Sequence, residues 1–407
     1  DEVTGYENDV SGENGFGSGI AINSVPPING PQALATADLT GDGRPEVFTL
    51  SENDRSVTYF ENRTDQGTGF ASSNVLTFST SVFSFEDLHT SDLTGNGFPD
   101  IITATSNGVG WIEYLEGDGY TSSTNTIISF GDKPNAVDAA DLNSDGDTDV
   151  VAASQGEGAL YWVPNNPNNG DNTFQIPRSI SLDLSTEPID VHPADVNGDA
   201  NPDLIAALSG TDEVVWLENQ IGGAGGFSDT TRIAENATNV QDVHAADLDG
   251  DGDPDVLSAS PDDGEIAVHE NTESGFADPR ILDSGLNGAN IVRTTDLDDD
   301  GDPDVVARAP GVVVAYRNQL DSGSGFSLVG TVATTTPQNA SAFATSVALA
   351  DVDADGKPDI VTSSETFDRI DWHKNDVQPP STTRPDITLS GPDSPPSPDE
   401  NTSVSIP

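Results

Sequence analysis

The chain has 407 residues, with 14 Lys and Arg against 70 Asp and Glu, for a formal net charge of −56. That charge excludes a basic surface for nucleic-acid phosphate or for an anionic membrane. The absence of Cys excludes disulfides, thiolate metal sites and a Cys nucleophile, and no apolar run reaches the ~20 residues of a membrane-spanning helix.

The chain opens at Asp1 without Met, which predicts a processed or trimmed start from which any signal peptide has gone. The first structured signal is Gly15-Phe16, a glycine followed by an aromatic. An acidic nonapeptide then recurs, its first acid at Asp38, Asp92, Asp141, Asp195, Asp247, Asp296 and Asp351. The spacings are 54, 49, 54, 52, 49 and 55 residues, so the chain is a repeat array. An apolar or small-residue stretch precedes each nonapeptide and another follows it, which predicts a hairpin with an acidic turn.

Two further elements share the period. An aromatic or apolar residue stands three before an Asn: Tyr59 with Asn62, Trp162 with Asn165, Trp216 with Asn219, Val268 with Asn271, Ala315 with Asn318 and Trp372 with Asn375. In the second repeat Trp111 keeps the register but Tyr114 replaces the Asn. A Gly-aromatic pair follows at Gly69-Phe70, Gly119-Tyr120, Gly226-Phe227, Gly275-Phe276 and Gly325-Phe326, more loosely at Phe174, and is expected to open a strand. Four strand-like stretches per repeat, seven times over, predict an all-β seven-bladed propeller across residues 1–375. The last repeat lacks its Gly-aromatic element and the N-terminus has a spare one, so the N-terminal strand is expected to close the ring and leave no open edge.

Residues 376–407 break the period and are rich in Pro and Ser, which predicts an extended linker. Ile387 with Leu389 and Val404 with Ile406 alternate with polar residues as in short strands. A stalk, the first strand of a further Ig-like domain and a strand donated to a neighbouring subunit all fit this segment.

These elements resemble the FG-GAP or VCBS repeat family, found in integrin alpha-subunit propellers and in bacterial and archaeal surface proteins. The resemblance spans roughly residues 14–375 and implies a calcium-stabilised propeller without implying one activity. Calcium takes six to eight hard oxygens, which alternate residues of a short turn can supply. Positions 1, 3, 5 and 9 offer them most fully in Asp247, Asp249, Asp251 and Asp255, in Asp296, Asp298, Asp300 and Asp304, and in Asp351, Asp353, Asp355 and Asp359. Asp141, Asn143, Asp145 and Asp149 make a fourth good set. Weaker or empty sites are expected at Asp38, Thr40, Asp42 and Glu46, at Asp92, Thr94, Asn96 and Asp100, and at Asp195, Asn197, Asp199 and Asp203, where Ala200 replaces the turn glycine. An EF-hand would need flanking helices and a Glu at position 12. The plainer alternative is acidic turns whose Asp side chains bond their own backbone. Seven calcium ions would bring the charge only to −42, so the rest is surface. The composition, with only three lysines, resembles that of extreme halophiles, haloarchaea above all.

The strand before each loop carries a second pattern. Asp87 and His89, Asp190 and His192, and Asp242 and His244 stand five and three residues ahead of their loops, with Asp138 and Arg293 also at the −3 position. In a propeller these strands line the central channel. Either the set is a metal or polar-ligand site, or it is a hydrated channel of mutually paired groups. Asn62, Asn236, Asn339 and Asn401 head glycosylation triplets. No nucleotide, zinc-protease or nucleophile-elbow motif is present. The functional expectation is a non-enzymatic extracellular module for adhesion, recognition or surface assembly, contacting other subunits through its tail and possessing affinity for glycans in one variant. The alternatives are a sugar-binding lectin and a polysaccharide lyase or hydrolase with a channel site.

Overall fold

The computed structural model describes residues 15–377 apart from 18, 23–27, 67–68, 72–73, 78–83, 122–124, 130–133, 167–173, 222–225, 321–322 and 335–343. Seven four-stranded antiparallel sheets are arranged in a ring. Blade 3 shows the plan: Ala136–Ala140, Asp149–Ser154, Ala159–Val163 and Arg178–Ser181 run from the channel outward. The inner strands of successive blades touch in chain order, and those of blades 7 and 1 also meet.

The second strand of every blade is the most buried, with all six residues of Asp149–Ser154 inaccessible. It reads as a continuous apolar run because neighbouring blades cover both of its faces. The apolar interior is accordingly seven wedges, one at each blade junction, including the junction between Trp372 of blade 7 and Phe60 of blade 1.

The expected closure is present. Ile20–Ala21 pairs antiparallel with Arg369–His373 as the outer strand of blade 7, and Phe16 bridges to Asn375. Phe16 and Val377 bury together in the wedge between blades 6 and 7, so the packed fold runs two residues past the expected boundary at 375. The expected strands of the tail at 387–389 and 404–406 lie outside the described residues.

The Gly-aromatic element differs from its expectation. It does not generally open the outer strand; its aromatic pairs instead with the repeat Asn register, as in Asn62 with Phe70 and Asn219 with Phe227. Phe174 and Phe227 then pack edge-on against Trp111 and Trp162 of the preceding blades. The element is a wedge between blades, and among the described residues it runs continuously into the outer strand only at Gly325–Thr334.

The repeat Asn is a second link between blades. Asn165 Nδ2 donates to Leu93 O of the preceding blade at 2.6 Å and to Thr148 O of its own at 3.0 Å. Asn219, Asn271, Asn318 and Asn375 repeat the arrangement, and Asn62 donates to Val352 O across the closing junction at 2.7 Å. Asn62 also donates to Pro45 O and is buried. Its amide nitrogen is therefore unavailable for a glycan, which removes it from the glycosylation candidates. Asn236 is exposed, with a left-handed backbone at φ 67°, and Asn339 and Asn401 lie outside the described residues.

Candidate functional site

The acidic nonapeptides form one turn design at one end of the ring. In all seven the first carboxylate accepts the N–H of position 6, at 2.7–3.0 Å. The fifth side chain accepts the N–H of position 7, as Asp251 does from Asp253 at 2.9 Å. Position 6 is left-handed throughout, which glycine adopts freely; Ala200 takes the same conformation at φ 68°. The fourth loop thus keeps its shape at a cost in strain. The self-bonded turn and the oxygen cradle are therefore not exclusive: the backbone bonds set the loop, and the carboxylates keep further lone pairs.

Position 9 plays a different part from the one expected. Asp255 is buried and accepts the N–H of Leu248 at 3.0 Å and of Asn271 at 2.8 Å. It ties the turn to the third strand. Asp304 and Asp359 do the same, as does Asp100 with Leu93 and Tyr114. Burial pushes these carboxyls up, to about 6 at Asp255 and about 7 at Asp359. The oxygens that converge within 4.8 Å of one another belong to positions 1, 3 and 5 alone: Asp247, Asp249 and Asp251; Asp296, Asp298 and Asp300; Asp351, Asp353 and Asp355. These three loops hold the carboxylate-complete sets expected from the sequence. The other four, with Asn or Thr at one position or more, do not gather three carboxylates among the described residues.

The inner strands enclose a central cavity of about 440 Å³. Its −3 ring runs Ala35, His89, Asp138, His192, His244, Arg293 and Ala348, a polar arc on blades 2–6 facing alanines on blades 1 and 7. Asp138 is the hub of the arc. His192 Nδ1 lies 3.0 Å from one of its oxygens and His89 Nε2 lies 3.5 Å from the other. Burial raises the Asp138 carboxyl, but the two imidazoles outweigh it and hold the group at about 2. Burial lowers His192, yet the Asp138 hydrogen bond and charge leave it raised overall. His244 packs on His192 with ring centroids 4.7 Å apart and the rings tilted by 39°, and bonds Thr294 Oγ1 at 3.1 Å. Burial, then the charges of His192 and Arg293, hold His244 well below the usual histidine range.

The −5 acids do not pair with the histidines of their own strands, so the expected His-Asp pairs are corrected. Each reaches across a junction to the backbone of the next blade. Asp87 accepts from Val137 N at 3.0 Å, Asp190 from Val243 N at 2.9 Å and Asp242 from Val292 N at 2.8 Å. Ser346 accepts from Leu34 N at the closing junction, a role that an uncharged residue does not announce in the sequence. Asp242 also holds Arg293 through both oxygens, at 2.9 and 2.7 Å. Burial, then the Asp242 charge, pushes Asp190 up to about 7. Among the described residues no channel trio brings ligand atoms together as the loops do, so a metal held by imidazoles is not assembled here. His269 and His373 lie elsewhere, buried in third strands, bonded to Ser258 and Thr362 and held near 4 by burial.

The FG-GAP-like repeat pattern matches residues 92–152, 141–206, 201–258, 247–307 and 296–362. The chain belongs to the FG-GAP-like repeat family. No curated protein matches it. Among solved structures it resembles an Agrocybe aegerita lectin described as recognising non-reducing terminal N-acetylglucosamine, with 17% identity, TM-score 0.55, and 76% of this chain and 82% of that one covered. It also resembles BBS1N in complex with ARL6DN, with 13% identity, TM-score 0.57, and 91% and 98% covered. The rhamnogalacturonan lyase YesW aligns at 13% identity and TM-score 0.49 over 86% and 72%. At these identities the likeness to the lectin and to BBS1N shows the fold alone.

Proposed function

We propose that this FG-GAP-like propeller is a non-enzymatic recognition or adhesion module, calcium-stabilised, displayed outside the cell of a halophile and built into a surface assembly. The observation supporting this reading most directly is how the channel charges are used. Asp138 is engaged by two histidines, Asp242 by Arg293, and Asp87 and Asp190 by backbone N–H groups of the next blade. An enzyme acting on polysaccharide needs an acid and a base poised over an open site; these groups instead lock blades together.

Calcium fits the donor chemistry of the fifth loop, where hard oxygens of Asp247, Asp249 and Asp251 converge. Bound there, it would offset two of the three carboxylate charges and stabilise the folded ring by mass action. The net charge of −56 supports a high-salt environment, where the screening length falls to about 3 Å at molar ionic strength.

Residues 378–407 are proposed to contact another subunit or a following domain. Electron microscopy of the chain with and without 378–407, in molar KCl with calcium, tests the assembly. Ordered assemblies that vanish on truncation support it; identical assemblies from both forms overturn it. A second reading is a lectin, the function described for one structure of similar fold. A glycan array run in the same buffer with and without chelator decides it: calcium-dependent capture of one sugar class would replace the assembly reading with the lectin.

A further inference from the structure

The residue just before the repeat Asn stands beside position 3 of its loop, and its charge differs between blades. It is Glu270 beside the fifth loop, Arg317 beside the sixth and Lys374 beside the seventh. Arg317 pairs with Asp298, whose side chain is fully buried. Lys374 pairs with Asp353 and, at 2.9 Å, with Asp355. Among the described residues no Lys or Arg pairs with Asp247, Asp249 or Asp251, and the Glu270 charge adds to the acidity around Asp249. Three loops with the same four acids thus have three different neighbours.

We infer that Arg317 and Lys374 are tethered cations that take the place of a divalent ion in the sixth and seventh loops, leaving the fifth as the carboxylate-complete loop open to metal. The Lys374 ammonium donates to, and the Arg317 guanidinium is ion-paired with, oxygens that a calcium ion would need, and calcium requires six to eight of them. A side chain on the same blade is always at high local concentration and is not removed by dilution or chelation. It supplies one positive charge where calcium supplies two, so the clusters stay partly acidic yet hold together without metal. Position 3 is where the contact matters most, because Asp298 has no solvent to lean on. The four acids alone, read as sequence, make the three loops equivalent; the neighbouring strand makes them different.

The inference rests on the reading of the loops as calcium sites, and the experiment separates the two. The full chain, stripped with chelator and returned to molar KCl, is titrated with calcium chloride by calorimetry, and bound ions are counted by native mass spectrometry. Arg317→Gln and Lys374→Gln should each bind one calcium more than the parent. Glu270→Lys should bind one fewer. In chelator the two Gln variants should melt below the parent, and calcium should close the gap; this readout serves even where a variant binds weakly. Calcium binding with the same count in the parent and all three variants overturns the tethered cations while leaving the calcium reading intact. No calcium bound by any of the four proteins overturns both.

Discussion

Acidic side chains crowd the channel and the fifth turn loop of this ring, and they are handled in opposite ways. In the channel each acid has a fixed protein partner: Asp138 lies between His89 and His192, and Asp242 grips Arg293. In the loops the first and third acids of the fifth repeat meet only backbone N–H groups and one another. The channel is electrostatically complete as built, and so in part are the sixth and seventh loops through Arg317 and Lys374, whereas the fifth loop is complete only with something added from solution. That difference separates what holds the ring together from what tunes it to its surroundings.

The largest way to break the comparison is to remove divalent ions. At fixed molar KCl a chelator should lower the melting temperature, because an ion at a thousandfold excess over its Kd contributes about 4 kcal/mol per site. Asp251→Ala should abolish most of that response, while channel variants should keep it. Calorimetry with and without chelator checks this.

Next, Asp138→Ala should cost about 2 kcal/mol at pH 6 by stranding two imidazoles, with the chelator response unchanged. Since the folded carboxyl sits near 2, below its unfolded value, its contribution is present above about pH 4 and lost as the pH falls towards 2. The parent's acid limb should therefore flatten in the variant, as seen in melting temperature against pH.

Asp190 has the opposite sign. Its folded carboxyl is raised to about 7, so the parent loses stability as pH climbs from about 4 through 7. Asp190→Asn keeps an acceptor for Val243 N–H and has no charge to bury. It should gain on the parent between pH 4 and pH 8 by roughly 1–2 kcal/mol once water in the channel is allowed for. A constant difference across that window would show the carboxylate to be well solvated.

The smallest effect sharpens the loop side. Ala200→Gly relieves a left-handed residue at φ 68° and should raise stability by about 1 kcal/mol. Chemical denaturation midpoints would show it, and an unchanged or lower midpoint would mean that the loop relaxes without strain.

The ring and the acidic loops were legible in the sequence because their elements recur once per repeat, and the closure because Gly15-Phe16 was the one element out of phase; a period needs no knowledge of neighbours. What escaped were roles decided across a junction. Asp87 and His89 share a strand, so proximity in sequence suggested a pair; the fold turns Asp87 to Val137 and His89 to Asp138, both on the next blade. Asn62 carries a glycosylation triplet, yet its amide is spent on Val352, 290 residues away. Arg317 and Lys374 showed no pattern at all, since their meaning depends on which loop their strand passes. The position 9 acids read as ligands because they are acidic, while burial and two backbone donors make them tie-points between strands.

The seventh blade has a mechanical consequence. Its outer strand, Ile20–Ala21, is held to Arg369–His373 by an antiparallel ladder, and Phe16 and Asn375 bridge at the same end of it. Both chain directions leave the ring together there, with Gly17 N bonded to Lys374 O and Asp376 N to Gly15 O. Tension applied between the two ends would therefore peel this ladder bond by bond, as a zipper opens, and would not shear it all at once. The other six blades would feel no load until the seventh had parted. A propeller pulled from both ends would thus part first at its latch.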